Sequence, residues 1–281
     1  MFHIYSALAY FFIVARVIVP LPIHWAWKVA GAVALLPGAM LHFWSLLFFG
    51  NMWSPELPYP IVAILGWTFG SFVLLLVFTV VGDTLAVLIC LVSRRWPNPM
   101  SGTPRRIGIL LLSFGLGGFG FIQAIRLPEV HRVTLQVRDL PAEFDGFKLV
   151  QLSDLHISKL FQEQWVQGVV ERTNEIDADL IVVTGDFIDG SVEARRADVA
   201  PLASLRARLG VVGIPGNHEY YFDYTAWKAK LENLGIHMLT NEHTVVRHKD
   251  AQLNFKSEPQ RSVQIPKDSP GAKPIAQVDF E

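Results

Sequence analysis

The sequence predicts an α-helical membrane bundle followed by a layered α/β domain. Three observations carry that prediction. Apolar residues are concentrated before residue 127, in runs long enough for membrane helices. After Arg126, short apolar runs alternate with segments of helical spacing. Three polar motifs each follow one of those short runs: Ser-Asp-Leu-His at 153–156, Gly-Asp at 185–186 and Gly-Asn-His-Glu at 216–219.

The composition fits a membrane segment. Of 281 residues, 51% are apolar and 17% charged, and the mean hydropathy is +0.34, values high for a soluble chain. The net charge of −1 argues against a polyanion-binding surface, so no nucleic-acid partner is expected. Cys90 is the single cysteine, which excludes a disulfide framework or a cysteine metal site.

Residues 1–127 divide into four apolar runs, 4–19, 29–49, 61–92 and 107–125. About 20 apolar residues cross the hydrocarbon layer as a helix. The second and fourth runs match that length. The first is short and carries Arg16 near its end, where a long side chain can snorkel. It has no basic leader or small-residue cleavage site, so it reads as a retained segment. The third exceeds one upright span. Four spans are expected, with five as the alternative.

The 50–60 loop has no Lys or Arg, whereas the 93–106 loop has Arg94, Arg95, Arg105 and Arg106, and Arg16 and Lys28 flank the first loop. The positive-inside rule then puts the 20–28 and 93–106 loops in the cytoplasm and everything after the fourth span outside. Trp25, Trp27, Trp44, Trp53 and Trp96 fall near expected span ends, as interfacial aromatics do. Asp83 inside the third run has two readings, an ion pathway or a charge facing a partner helix. Gly115, Gly117, Gly118 and Gly120 in the fourth run predict close helix packing.

Beyond Arg126, residues 130–140 alternate and predict a strand, and Asp145-Gly146 a turn. Residues 147–152, 180–183 and 211–214 are short apolar runs and predict buried strands. Residues 162–176 show helical spacing through Trp165, Val169, Val170 and Ile176. Residues 192–209 predict a second helix ended by Gly210, and 224–234 a third stopped by Gly235. Residues 236–239 and 244–247 predict further strands. Strands alternating with helices imply a layered α/β domain. Each polar motif then lies just beyond the carboxyl end of a buried strand, where open α/β sheets bind ligands.

The motifs offer metal-binding chemistry. Asp154 and His156 stand two apart in the chain. Asp186 follows a strand, with Gly185 permitting a tight turn. Asn217 supplies a carbonyl oxygen and His218 an imidazole. Mixed Asp, His and Asn donors suit Mn, Fe or Zn better than Mg or Ca. A carboxylate shared by two ions about 3.5–4 Å apart makes a two-metal site. Each fragment alone is also what strand-ending turns contain. Their order, their spacing (154 to 186 is 32, 186 to 217 is 31) and their shared strand-end context select the metal reading.

Leu140-Pro141, Asp145-Gly146, Leu149–His156, Thr184–Asp189 and Gly216–Tyr221 together resemble the calcineurin-like metallophosphoesterase superfamily. They look most like its membrane-linked bacterial branch, in which several spans precede the phosphoesterase domain. The resemblance covers roughly residues 129–247. It implies a layered β-sandwich with flanking helices at 128–248, and two divalent metal ions. Asp154 and His156 would bind the first ion, Asp186 would bridge, and Asn217 would bind the second. His218 would contact the phosphate and protonate the leaving oxygen, while a bridging hydroxide attacks phosphorus in line. Asp189, Glu219, Tyr220 and Tyr221 would be supporting or substrate-contact residues.

The same family adds a further histidine and a Gly-His-x-His motif, and no Gly-His follows residue 218. His237, His243 and His248 do not match that motif. Residues 249–281 carry four prolines without sustained periodicity, which predicts a poorly ordered or aberrant tail and a domain incomplete at its C-terminus. With Asp186 and Asn217 alone on the second ion, two functional readings stand. One is a membrane-anchored hydrolase of a phosphomonoester or phosphodiester, lipid-linked or envelope-derived and extracytoplasmic. The other is a non-catalytic membrane protein with a relict phosphoesterase domain.

Overall fold

The structure is a computed structural model that describes residues 2–93, 102–135, 140–257 and 276–278. The chain divides into two units, Met1–Arg126 and Leu127–Glu281.

The first unit is helical. Helix α1 (Phe2–Ile13) runs into a π-helical turn at Val14–Ile18. Helices α2 (Trp25–Ala39) and α3 (Leu41–Phe49) follow, then α4 (Tyr59–Ser93) and α5 (Thr103–Ala124). Among the described residues, two helices, α4 and α5, are long and apolar enough to cross a membrane, or three elements if the bent pair α2 and α3 counts as one. The expected second span is bent by 61° between those two helices. Pro37 lies inside α2 and removes a backbone donor, and the helix breaks three residues later at Met40. The third run is one continuous helix of 35 residues. Arg94, Arg95 and Trp96 lie outside the described residues.

Small residues set the helix contacts in this unit. Gly117 of α5 faces Ser71 of α4 so closely that a Cβ would meet the Ser71 backbone at 3.1 Å, and Gly118 faces the Trp67 ring. Trp67 Nε1 donates to the Phe114 carbonyl at 3.0 Å. Gly115 and Gly120 face open space, so half of the glycine-rich run makes the packing.

The second unit is built on a parallel sheet. Strands β1 (Leu149–Leu152), β2 (Leu180–Thr184), β3 (Val211–Ile214) and β4 (Ile236–Met238) lie in sequence order. Leu152 pairs with Val183, Thr184 with Ile214, and Gly213 with Met238. The crossovers carry α6 (Glu163–Asn174), α7 (Val192–Arg195), α8 (Asn217–Tyr221) and α9 (Tyr224–Asn233). Because every strand runs the same way, all the loops after strands β1–β4 open on one edge.

One face of the sheet packs Ile181, Val183, Val211 and Ile236 against Val166, Val169 and Val170 of α6 and Trp227 and Leu231 of α9. The other packs Leu180, Val212 and Ile214 against Phe144, Leu239 and Val246. Trp227 Nε1 donates to the Gly190 carbonyl at 3.0 Å and fixes α9 to the loop after β2.

Two expectations need correction, and part of 249–281 forms strands while 258–275 and 279–281 lie outside the described residues. Residues 130–135 have no regular structure, and 136–139 lie outside the described residues. The helix expected at 192–209 is only α7 and a 3-10 turn at Ala200–Ser204, because Pro201 interrupts hydrogen bonding. In the stretch expected to be poorly ordered, β6 (Ala251–Ser257) pairs antiparallel with β5 (His243–His248), and β7 (Ala276–Val278) pairs with β6. Hairpin pairing supplies order that an apolar period did not announce.

Leu231 is fully buried beneath α9. Leu231→Ala is expected to destabilise the second unit by about 2–5 kcal/mol, read as a lower midpoint in urea unfolding of the purified chain.

Candidate functional site

Each candidate side chain sits in the first residues after a parallel strand. Asp154 and His156 follow β1, Asp186 and Asp189 follow β2, and Asn217 and His218 open α8 after β3. The β1 and β2 loops are joined by backbone. Asp154 N–H donates to the Gly185 carbonyl at 3.3 Å, and His156 N–H to the Asp186 carbonyl at 3.0 Å. Ile157 and Ile188 then form a parallel bridge. Asp154, His156 and Asp186 all have positive φ, of 53°, 44° and 52°. Such conformations are uncommon for residues with a side chain and cluster where neighbours over-determine the backbone.

The neighbour that over-determines this backbone is Glu219. Its side chain is 1% exposed. One carboxylate oxygen accepts from the backbone N–H of Phe187 at 2.8 Å and Ile188 at 3.4 Å, and the other from Asp186 at 3.0 Å and Gly216 at 2.6 Å. The β2 and β3 loops are thus tied through one carboxylate. Burial pushes this carboxyl up; the Gly216 N–H opposes that, the charge of Asp186 adds to it, and the balance is upward. The two loops also touch directly. A Cβ on Gly185, whose φ is +89°, would stand 2.7 Å from the Gly216 backbone, and a Cβ on Gly216 would overlap the Asp186 carboxylate.

His156, Asp186 and His218 each present one ligand atom within 4.8 Å of the others. His156 Nε2 lies 4.0 Å from Asp186 Oδ2 and 4.0 Å from Asp154 Oδ1. Asp186 Oδ1 accepts from the His218 backbone N–H at 3.0 Å, which leaves Oδ2 toward His156. Asp154 is more open: its side chain is 54% exposed, and Ser153 Oγ donates to its Oδ2 at 2.5 Å. Asn217 stands at the first position of α8, half-buried. Among the described residues, His237 and His243 belong to β4 and β5, and His248 packs against Phe144 and Phe147.

Sequence reasoning gave one central residue only a general supporting or substrate-contact role. Asp189 holds both imidazoles by the same edge, with His156 Nδ1 at 3.3 Å from Oδ2 and His218 Nδ1 hydrogen-bonded to Oδ1. A carboxylate only accepts, so both Nδ1 atoms carry protons and both Nε2 atoms are available as donors to an ion or substrate. The rings stand edge to face, 4.5 Å apart. Burial pushes Asp189 up, but its hydrogen bonds to His156 and His218 outweigh this and hold it below the usual carboxylate range. Burial pushes His156 down, and Asp189, Asp186 and Asp154 together raise it above an ordinary histidine. The signal in the sequence was the position of Asp189, three residues after Asp186 in the loop that also meets α8.

The donors fit a divalent ion. They are two imidazoles and a carboxylate, with a second carboxylate alongside, converging where a parallel sheet opens its loops.

Residues 147–262 match the family model described as calcineurin-like phosphoesterase. The chain is similar to a zebrafish (Danio rerio) protein named transmembrane protein with metallophosphoesterase domain, 34% identical over 63% of this chain and 42% of the relative. A Bos taurus protein of the same name is 36% identical over 44% of this chain and 28% of its own length. An uncharacterized metallophosphoesterase of Helicobacter pylori is 29% identical over 49% of this chain and 36% of its own length. The chain spans less than half the length of these relatives. No solved structure is a significant match.

Glu219→Gln keeps the shape but turns an amide nitrogen toward backbone donors. The expected outcome is a loss of about 2–3 kcal/mol in thermal unfolding, with Glu219→Asp, which cannot reach all four donors, no better.

Proposed function

We propose that the calcineurin-like metallophosphoesterase domain carried by this chain is a membrane-anchored, metal-dependent phosphoester hydrolase. By family the domain is a hydrolase, and its relatives include proteins named as transmembrane. The observation that carries the reading is the convergence of His156, Asp186 and His218 at the open edge of the sheet.

His156, Asp186 and Asp154 would hold a first divalent ion, and Asp186 with Asn217 would contribute to a second. Mn, Fe or Zn suits these donors. Bound ions supply two things, polarised phosphoryl oxygens and a water acidified enough to attack at neutral pH. The remaining chemistry falls to the protein. Asp189 accepts from His218 Nδ1 and orients the ring, so that in its doubly protonated form Nε2–H would hold the phosphate and pass its proton to the leaving oxygen, which leaves the neutral Nδ1–H ring. Asp189 also braces His156 through the same kind of contact, so the two imidazoles are oriented together. Glu219 holds the backbone under Asp186 and His218 at fixed separation.

The substrate would be a phosphomonoester or phosphodiester close to a bilayer, lipid-linked or derived from the cell envelope. The distribution of Arg and Lys between the short loops supports an extracytoplasmic domain after a multi-pass anchor of four spans. The second reading is a relict domain that no longer turns over substrate.

Two measurements decide between the readings. Purified chain supplied with Mn²⁺ is expected to hydrolyse p-nitrophenyl phosphate or its diester. Asp186→Ala should lower the rate by more than about 100-fold and reduce bound metal measured by mass spectrometry. A folded wild-type chain without metal uptake would establish the relict reading. His218→Asn should lower turnover by about 10²–10⁴-fold with bound metal unchanged; metal lost with that variant would make His218 a ligand instead.

A further inference from the structure

The basic end of the helical unit has features that hydrolysis does not use. Residues 1–126 contain two acidic side chains, Glu56 and Asp83. Asp83 in α4 receives Arg16 through Nε and Nη2, at 2.9 and 2.8 Å on one oxygen, and Arg105 through Nη2, at 2.9 Å on the other. Two further cations are bound to main-chain carbonyls. Arg106 Nε donates to the Arg16 carbonyl at 3.2 Å, and Lys28 Nζ to the Val19 carbonyl at 2.7 Å.

The sequence explains why those carbonyls are available. Pro20 stands four residues after Arg16 and has no N–H, so the Arg16 carbonyl lacks its α-helical donor. The helix widens into a π-turn over Val14–Ile18, with Arg16 at its centre. Such turns recur at functional sites. Arg106 and Lys28 cap the end that results.

Two cations therefore share a single carboxylate, and two more bind carbonyls of the chain segment that carries Arg16. Arg16 keeps 49% of its side chain exposed even while bound to Asp83. A depth follows if α5 crosses a bilayer. Helix α5 has 22 residues, about 33 Å, which matches one hydrocarbon thickness. Its first turn, holding Arg105 and Arg106, then stands at the boundary where lipid phosphates lie. Asp83 of α4 is tied to that turn, and α4 continues for ten residues beyond it.

We infer that Arg16, Lys28 and Arg106, set in place by Asp83 and Arg105, form a binding site for the phosphate of an anionic phospholipid headgroup. Asp83 orients two guanidinium groups without neutralising the cluster, and the surplus positive charge is exposed at headgroup depth. Arginine suits this work because its planar fork can hold Asp83 with one edge and a phosphate with another. The inference rests on membrane association of the helical unit and is independent of hydrolysis by the second unit.

The test is native mass spectrometry of the full chain released from detergent after incubation with phosphatidylglycerol or phosphatidylcholine. The expected result is preferential retention of phosphatidylglycerol. Lys28→Gln and Arg106→Gln should each weaken retention roughly fivefold, while Arg126→Gln, an equal charge change outside the cluster, leaves it unchanged. Lys28→Arg and Arg106→Lys should keep most of it, which separates a lost site from a lost fold. Equal retention of both lipids by the unmodified chain would overturn the inference, as would an equal loss with Arg126→Gln. Displacement of the lipid by tenfold excess inorganic phosphate would overturn its assignment to a lipid.

Discussion

The second unit of this chain depends on one buried carboxylate. Glu219 collects backbone donors from Asp186, Phe187, Ile188 and Gly216, two stretches more than 25 positions apart in sequence. Backbone N–H groups buried in a strand-to-loop transition must find an acceptor, and an unpaired one costs about as much as a lost hydrogen bond. Glu219 meets this need for four of them at once. It does so from the first turn of α8, so the element that carries His218 is held by the same contacts that set Asp186. The candidate metal donors are therefore positioned by the fold before any ion arrives.

That arrangement makes sense of the strained backbone. Asp154, His156 and Asp186 each take a left-handed conformation that costs on the order of 1–3 kcal/mol. The conformation turns each chain sharply at the end of its strand, so that side chains from two neighbouring loops face one point. The Ile157–Ile188 bridge and the hydrogen bond from His156 N–H to the Asp186 carbonyl keep the two turns in step. Gly185 and Gly216 allow the third loop to approach, since a Cβ at either would collide with the other loop. The glycines of Gly-Asp and Gly-Asn-His are in this sense as much a part of the candidate site as the donor side chains.

Much of this was legible in the sequence, and the exceptions have physical reasons. The runs 180–183 and 211–214 became central parallel strands because buried strands read as unbroken apolar stretches. By contrast, 147–152, expected to be buried, gave the edge strand β1 with exposed and half-buried residues, and 236–239 gave β4 with His237 exposed. The order of the motifs placed Asp154, His156, Asp186 and His218 on one edge because each motif follows a parallel strand. Asp189 and Glu219 stood in the right motifs, but their parts in the site could not be read, because each acts across loops that meet only in three dimensions. The helix expected at 192–209 failed at Pro201, where local composition outweighed an otherwise helical pattern. The hairpin of β5 and β6 was missed because its backbone pairs with itself and has little need of an apolar period. In the first unit, Pro37 foretold the break that divides α2 from α3, yet run length alone read as one span.

The site separates into parts of unequal readiness, and this bears on how it would fill. His156 and Asp186 are fixed by backbone hydrogen bonds to each other's loops, and Asp189 braces His156 from behind. An ion bound there meets donors whose ordering was completed on folding, so little of its binding free energy goes to arranging them. Asp154 is different, since it is half-exposed and held by its neighbour Ser153. Asn217 is fixed only through the start of α8. A second ion sharing Asp186 would rely on Asn217 and on donors outside this cluster, and would also meet the repulsion of the first ion. The most completely ordered candidate donors therefore lie on the His156–Asp186 side, and Asp154 and Asn217 are the less constrained ones.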